Sequence, residues 1–281
     1  MSSSEGYILN AVQTPGPLLP VYRAVQSGCG TKEEIRGETA IESGLDEILS
    51  GLQLLRMIGR EDEEYYASEY EWEIGTDKMR FRLTALHGLA QECVEGEWGK
   101  QAAVLLNYKY LLDNDIQFFE NNEEPIYTEI DNWFGEIGYH PRSQQGRIEH
   151  NDNKFANWTR LVHFLGLVHK ARGREHTVYP DPELIRASLK LAIEDRGITV
   201  DGYPSIEIEQ YLRWLRENLL YVEATADGAI PEAVARVLFE LLRSDELEIV
   251  EYGDAGAVGL GGVPPYKGID SEANTIKLKE P

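Results

Sequence analysis

The sequence predicts a mainly α-helical chain with small β-hairpins. Three observations predict it. Apolar residues recur at spacings of three and four through most of the chain, which marks helices with one buried face. Glycine and proline punctuate those stretches where helices should stop or start. Only short segments alternate with period two. The hydrophobic fraction is 42% over 281 residues. That is enough to build cores, so disorder is not expected despite a formal net charge of −22.

The first elements follow in chain order. Residues 1–16 are expected to be a flexible leader of turn formers. A helix over 17–28 carries Leu18, Leu19, Val21, Tyr22 and Val25 as its apolar stripe and stops at Gly28 and Gly30. Thr31 with Glu34 three residues on reads as a capping box that opens a short helix over 31–38. A longer amphipathic helix is expected over 41–58, with Leu45, Ile48, Leu49, Leu52 and Leu55 on one side and Gly59 as its stop. The period then changes to two through Tyr70, Trp72 and Ile74, a turn at Gly75-Thr76-Asp77, and Met79, Phe81 and Leu83. That pattern predicts a hairpin.

Residues 84–122 are expected to be helical, interrupted near Gly96 and Gly99. Leu86, Leu89, Ala90 and Cys93 form one stripe, and Leu105, Tyr108, Leu111, Leu112, Ile116 and Phe119 the next. Pro125 opens a helix through Ile126, Ile130, Trp133, Phe134 and Ile137, ended by Gly138. After a polar loop comes a helix over 153–165, with Phe155, Trp158, Leu161, Val162 and Leu165 inward and Gly166 as its stop. A basic turn at 170–174 and Thr177-Val178-Tyr179 then make a small hairpin. Helices are expected over 183–196, over 205–224 with Tyr211, Trp214 and Tyr221, and from Pro231 to Arg243. Leu247 and Ile249, then Ile276 and Leu278, alternate as strands around a glycine-rich stretch.

Three helices followed by a two-stranded hairpin resemble a winged helix-turn-helix domain. Over 17–83 the segment IESGLDEILSGLQLLRMIGR is similar to its third helix. The stretch FANWTRLVHFLGLVHKARGREHTVYP resembles that family's third helix and wing more closely. The helices and strands after residue 183 resemble a degenerate copy with a long wing. The resemblance implies tandem winged helix-turn-helix units joined by helices: a first unit at 17–100, a second with a basic face at 101–182, and a third at 183–281. In that family the third helix often enters the DNA major groove. In the first copy the outward residues would be Glu42, Ser43, Asp46, Glu47, Ser50 and Gln53. That face is acidic and fits a protein contact or a packing role.

Charge points to the second copy. Window 140–176 holds seven cations against three carboxylates, and five of the chain's six histidines. A basic island in an acidic chain calls for a polyanionic partner. On helix 153–165, Lys154, Asn157 and Arg160 share the polar face: Asn suits an adenine edge, Arg a guanine, and Lys a phosphate. The preceding loop adds Arg142, Gln144 and Arg147, and the turn adds Lys170, Arg172 and Arg174. Double-stranded DNA is the expected partner, with protein partners or self-association beside it.

Other classes find less support. No His-x-x-x-His pair occurs on a helix, so no metal site is expected. Cys29 and Cys93 give neither a disulfide framework nor a zinc pattern. The glycines at 253, 256, 259, 261 and 262 lack the Gly-Lys-Ser/Thr ending of a phosphate loop. Trp133 and Trp158 fall on core faces. No catalytic constellation can be argued, so neither an enzyme nor a cofactor is expected. No apolar run nears the roughly 18 residues that cross a bilayer, and no secretory pattern opens the chain, so a cytoplasmic protein without membrane contact is expected. The acidity has two readings, a surface that repels DNA and favours basic partners, or a halophilic one; few lysines against many glutamates fit the second, on which local charge contrast matters more than the total. The expected function is a non-catalytic DNA-binding protein of the regulator type. The alternative is a scaffold subunit of a DNA-modification or antiviral defence complex.

Overall fold

A computed structural model describes residues 6–68, 72–143, 146–147, 149–225, 228–252, 258–260 and 272–279, with Arg142, Ser143, Gly146, Arg147 and Glu272 by backbone alone. The chain is mainly helical with small sheets. It divides into two compact units, residues 1–107 with 120–165, and residues 108–119 with 166–281. These boundaries differ from the sequence-based ones at 100 and 182.

The first unit opens with α1 (Ile8–Ala11). The expected flexible leader is corrected here, because Tyr7, Ile8, Leu9 and Val12 are buried. Gln101 holds this segment at both ends. It accepts from the Ile8 amide at 2.8 Å and donates to the Gly6 carbonyl at 3.0 Å. Then follow α2 (Leu18–Gln26), α3 (Lys32–Thr39) and α4 (Leu45–Leu54). The capping box is formed: Thr31 Oγ1 accepts from the Glu34 amide, and the Glu34 carboxylate accepts from the Thr31 amide at 2.9 Å.

The hairpin lies earlier than expected, as β1 (Ile58–Glu61) and β2 (Glu64–Ala67). Its two turn residues, Asp62 and Glu63, both take positive φ, which matches the right-handed strand twist. The usual Asn-Gly or Asp-Gly marker is missing there, so the turn leaves no sequence signal. The stretch expected as the second strand is instead α5 (Asp77–Ala90), capped by Thr76. Its apparent period of two arises because the helix is buried on nearly every side, Arg82 and Thr84 included. Gly88 is required on it: a Cβ there would lie 2.1 Å from the Leu55 carbonyl oxygen.

A short 3-10 helix (Lys100–Ala102) leads into α6 (Ala103–Asp113), within which the first unit gives way to the second. Residues 114–122 are not helical as expected, and β3 (Phe118–Glu120) lies there. The first unit resumes with α7 (Glu124–Glu136), the short hairpin β4 (Arg142–Ser143) and β5 (Gly146–Arg147), and α8 (Asp152–Leu165). Trp158 on α8 is fully buried and donates Nε1–H to the Val104 carbonyl at 3.0 Å. His150, just before α8, is buried between Asp131 (2.6 Å) and Asn107 (2.9 Å), which fixes the approach to that helix.

The second unit holds β3, β6 (His169–Arg172) and β7 (Glu175–Thr177) in one sheet, ordered β3-β7-β6. Next come α9 (Pro182–Arg196), β8 (Ile198–Val200), β9 (Tyr203–Glu207), α10 (Ile208–Asn218), β10 (Ala229–Ile230), α11 (Glu232–Arg243), β11 (Leu247–Val250), β12 (Val258–Leu260), β13 (Glu272–Ala273) and β14 (Thr275–Leu278). The helix expected over 205–224 thus begins at Ile208. The Asp201-Gly202 turn ahead of it, with φ of 52° and 86°, closes the β8–β9 hairpin. One sheet orders β11-β14-β9-β8, with antiparallel pairs throughout. A smaller one orders β10-β12-β13. Of the glycine-rich series only Gly259, on β12, lies within the described residues.

Candidate nucleic-acid interface

The basic turn forms as the tip of the β6–β7 hairpin. The strands pair His169 with Thr177, Lys170 with His176 and Arg172 with Glu175, with a bulge between Lys170 and Arg172. Gly173 turns the tip at φ +59°, a conformation that favours glycine. Lys170, Arg172 and Arg174 are exposed. Among the described residues none of the three has a carboxylate within ion-pair distance, including Glu175 opposite Arg172. Most other described cations sit on acids: Arg23 on Asp77, Arg56 on Glu92, Arg186 on Glu246, Arg196 on Glu217 and Lys277 on Asp201.

The base of the hairpin is fixed. His176 is buried and stacks on Phe119 with ring centroids 5.7 Å apart. Burial holds the imidazole pKa below its ordinary value; the Arg174 carbonyl opposes that shift, and Lys170 adds to it. Tyr108 donates its hydroxyl to the Val178 carbonyl at 2.9 Å, and the Val178 amide donates to the Gln117 carbonyl at 3.2 Å. The result is a rigid stem carrying three cations into solvent.

Helix α8 is arranged otherwise, with its expected DNA-contacting side chains hydrogen-bonded to backbone carbonyls. Asn157 is only 8% exposed and donates Nδ2–H to the Leu9 carbonyl at 2.8 Å. Arg160 donates to the Gln13 carbonyl at 3.0 Å and to Asn157 Oδ1 at 2.5 Å. Both are engaged by the N-terminal segment: Asn157 satisfies the buried Leu9 carbonyl, whereas the Arg160 bond to Gln13 lies at the surface. Lys154 is half-buried and donates to the Glu149 carbonyl at 2.5 Å. Arg142 and Arg147 face each other across β4 and β5. Their side chains, and Gln144 altogether, lie outside the described residues.

A further group escaped the sequence reading. Phe118 on β3 is 51% exposed. Its ring stands at 90° to that of Tyr179, with centroids 6.5 Å apart, and the Arg236 guanidinium lies over the Tyr179 ring at 5.7 Å. The available signal was the adjacent pair Phe118-Phe119. In a strand, neighbouring side chains face opposite ways, so one of the two rings must point outward.

Among the described residues no group of three or more His, Cys, Asp or Glu side chains is placed to hold a metal ion. Nor is any helix among them long and apolar enough to cross a membrane. Comparison with family profiles, curated proteins and solved structures gives no match.

Proposed function

We propose that the chain is a non-catalytic DNA-binding protein that grips the sugar-phosphate backbone with the tip of the β6–β7 hairpin. One observation carries this: Lys170, Arg172 and Arg174 stand exposed and without carboxylate partners among the described residues, in a chain of net charge −22. Three cations with that much acid available elsewhere form a focus for phosphate. Topology supports the reading. From α6 to β7, setting aside the short β4–β5 hairpin between α7 and α8, the order is helix, strand, helix, helix, strand, strand, with the first strand pairing the third. From α9 to β14 the helices and the strands β9, β11 and β14 repeat that order and that pairing, with β8 added at the edge. Both match the order of a winged helix-turn-helix unit, and α2 to β2 match it without the first strand. With Asn157 buried and Arg160 bonded to the Gln13 carbonyl and to Asn157, the contact proposed is to backbone and not to base edges.

The test is anisotropy of a labelled duplex over a salt series. The parent should show a steep fall of log K with log salt. Replacing all three cations by glutamate should abolish retention at moderate salt. If single replacements are measured instead, each should flatten the slope by about 0.9. A parent that binds no DNA, or a triple variant that binds as well as the parent, overturns the proposal.

A second reading has its own observation. Asp46 and Glu47 on α4 are exposed, on the helix that would meet DNA in the first copy, and Ile198 and Tyr203 are exposed on the β8–β9 hairpin. A scaffold subunit of a DNA-modification or antiviral defence complex would use such surfaces for protein partners. Stable partners in a pull-down with no nucleic acid in the purified fraction would favour it.

A further inference from the structure

We propose that the outer face of sheet β3-β7-β6 is a base-stacking platform, and that the DNA bound here carries unpaired bases, one of which lies on the Phe118 ring. This rests on the hairpin reading above and names the ligand class of the same surface. Phe118 follows the pleat: its neighbour Phe119 is buried against His176, so Phe118 faces the other way, into solvent. A half-exposed phenylalanine on an acidic, highly charged surface keeps apolar area in contact with water until something planar covers it.

The ring is held ready. Tyr179 stands against it at 90°. The Tyr179 hydroxyl donates to Gln117 Oε1 at 2.8 Å, and Gln117 Nε2 donates to Glu232 Oε1 at 2.6 Å. Glu232 also pairs with Arg236, whose guanidinium lies over Tyr179. This chain of contacts fixes the neighbours of Phe118 without covering its exposed half, so little ordering remains to be done on binding.

Charge selects the occupant. The hairpin that completes this sheet carries Lys170, Arg172 and Arg174; Arg172, paired with Glu175, shares the Phe118 face, whereas Lys170, paired with His176, is on the other, and β6 lies two strands from β3, about 10 Å at the usual strand spacing. Exposed aromatic faces beside a cationic groove are the recurring means of holding single-stranded nucleic acid. Bases inside a duplex already stack on each other and offer no free face. A ring on an open sheet therefore selects a gap, an overhang or a single strand. Stacking also persists in salt that screens phosphate contacts, which suits a surface this acidic.

The experiment compares a labelled oligothymidylate with a blunt hairpin duplex, each over a salt series, using the full chain. Phe118→Ala should weaken oligothymidylate binding by about 5- to 100-fold. It should leave the duplex affinity and the salt slope unchanged, and Phe118→Trp should restore the loss. The triple glutamate hairpin variant should weaken both ligands and flatten both slopes. If that variant weakens both while Phe118→Ala changes neither, the stacking platform is wrong and the hairpin reading stands. If Phe118→Ala weakens both ligands alike and Trp does not rescue, the ring acts through the fold and the platform is again wrong. If the parent binds neither ligand, or the hairpin variant binds both as well as the parent, both readings fall together.

Discussion

Helix α8 and the β6–β7 hairpin look alike in the sequence and differ in the structure. Each brings cationic side chains within a few residues of one another, in the basic stretch of an acidic chain. On α8 the polar side chains are engaged by the protein itself: buried Asn157 serves the Leu9 carbonyl, and exposed Arg160 is tethered to the Gln13 carbonyl through one guanidinium nitrogen. On the hairpin Lys170, Arg172 and Arg174 project into solvent, and the stem beneath them is packed. A cluster of polar residues is therefore a binding candidate only after its internal hydrogen-bond obligations have been counted.

The largest expected effect would test whether α8 is chiefly a core element. Trp158→Ala removes a fully buried indole and its hydrogen bond to Val104. It should destabilise the protein by about 3–5 kcal/mol in urea unfolding. A loss under about 1 kcal/mol would mean that α8 is loosely seated, and the contrast with the hairpin would fail. Next in size, Asn157→Ala should cost about 1–3 kcal/mol by stranding the Leu9 carbonyl, with DNA affinity unchanged. The reverse result, lost affinity at unchanged stability, would return α8 to the role the sequence first gave it.

A smaller effect is expected from acid. The folded pKa of His176 lies below its unfolded value near about 6.5. The unfolded chain thus binds the proton first. The stability contributed by the neutral, stacked ring is complete above that pH and is lost as pH falls from it toward the folded value. Amide exchange protection over 169–177 should drop on acidification, and His176→Phe should remove that pH dependence. Protection that rises on acidification would refute the sign. Smallest of all, changing Lys170, Arg172 and Arg174 to glutamate should shift stability by no more than about 0.5 kcal/mol, because none of them is buried or, among the described residues, ion-paired. A larger loss would show the tip to be structural after all.

Legibility varied with how each element is stabilised. Helices α2, α7, α8, α9 and α11 were readable because each buries one stripe and starts at a proline or a capping residue. The capping box at Thr31 and Glu34 was readable because both partners are local. The β1–β2 hairpin was hidden because its turn residues, Asp62 and Glu63, carry no turn signature. Helix α5 was misread as strand because burial on nearly all sides erases the helical period. The β8–β9 hairpin does carry a turn marker, Asp201-Gly202, between two helical patterns. Of the candidate interface, the hairpin cations could be found from charge alone. Phe118 needed the strand that makes its neighbour the buried one.

By itself the sequence determined most of the helical stretches, where most of those stop, and where positive charge gathers, since spacing, caps and charge are properties of neighbouring residues. The tertiary structure alone decided which polar side chains remain available. Periodicity gives an angle around a helix, but a segment remote in sequence can cover any angle. Leu9 reaches Asn157 from 148 residues away. That one contact moves the candidate site from the helix to the hairpin.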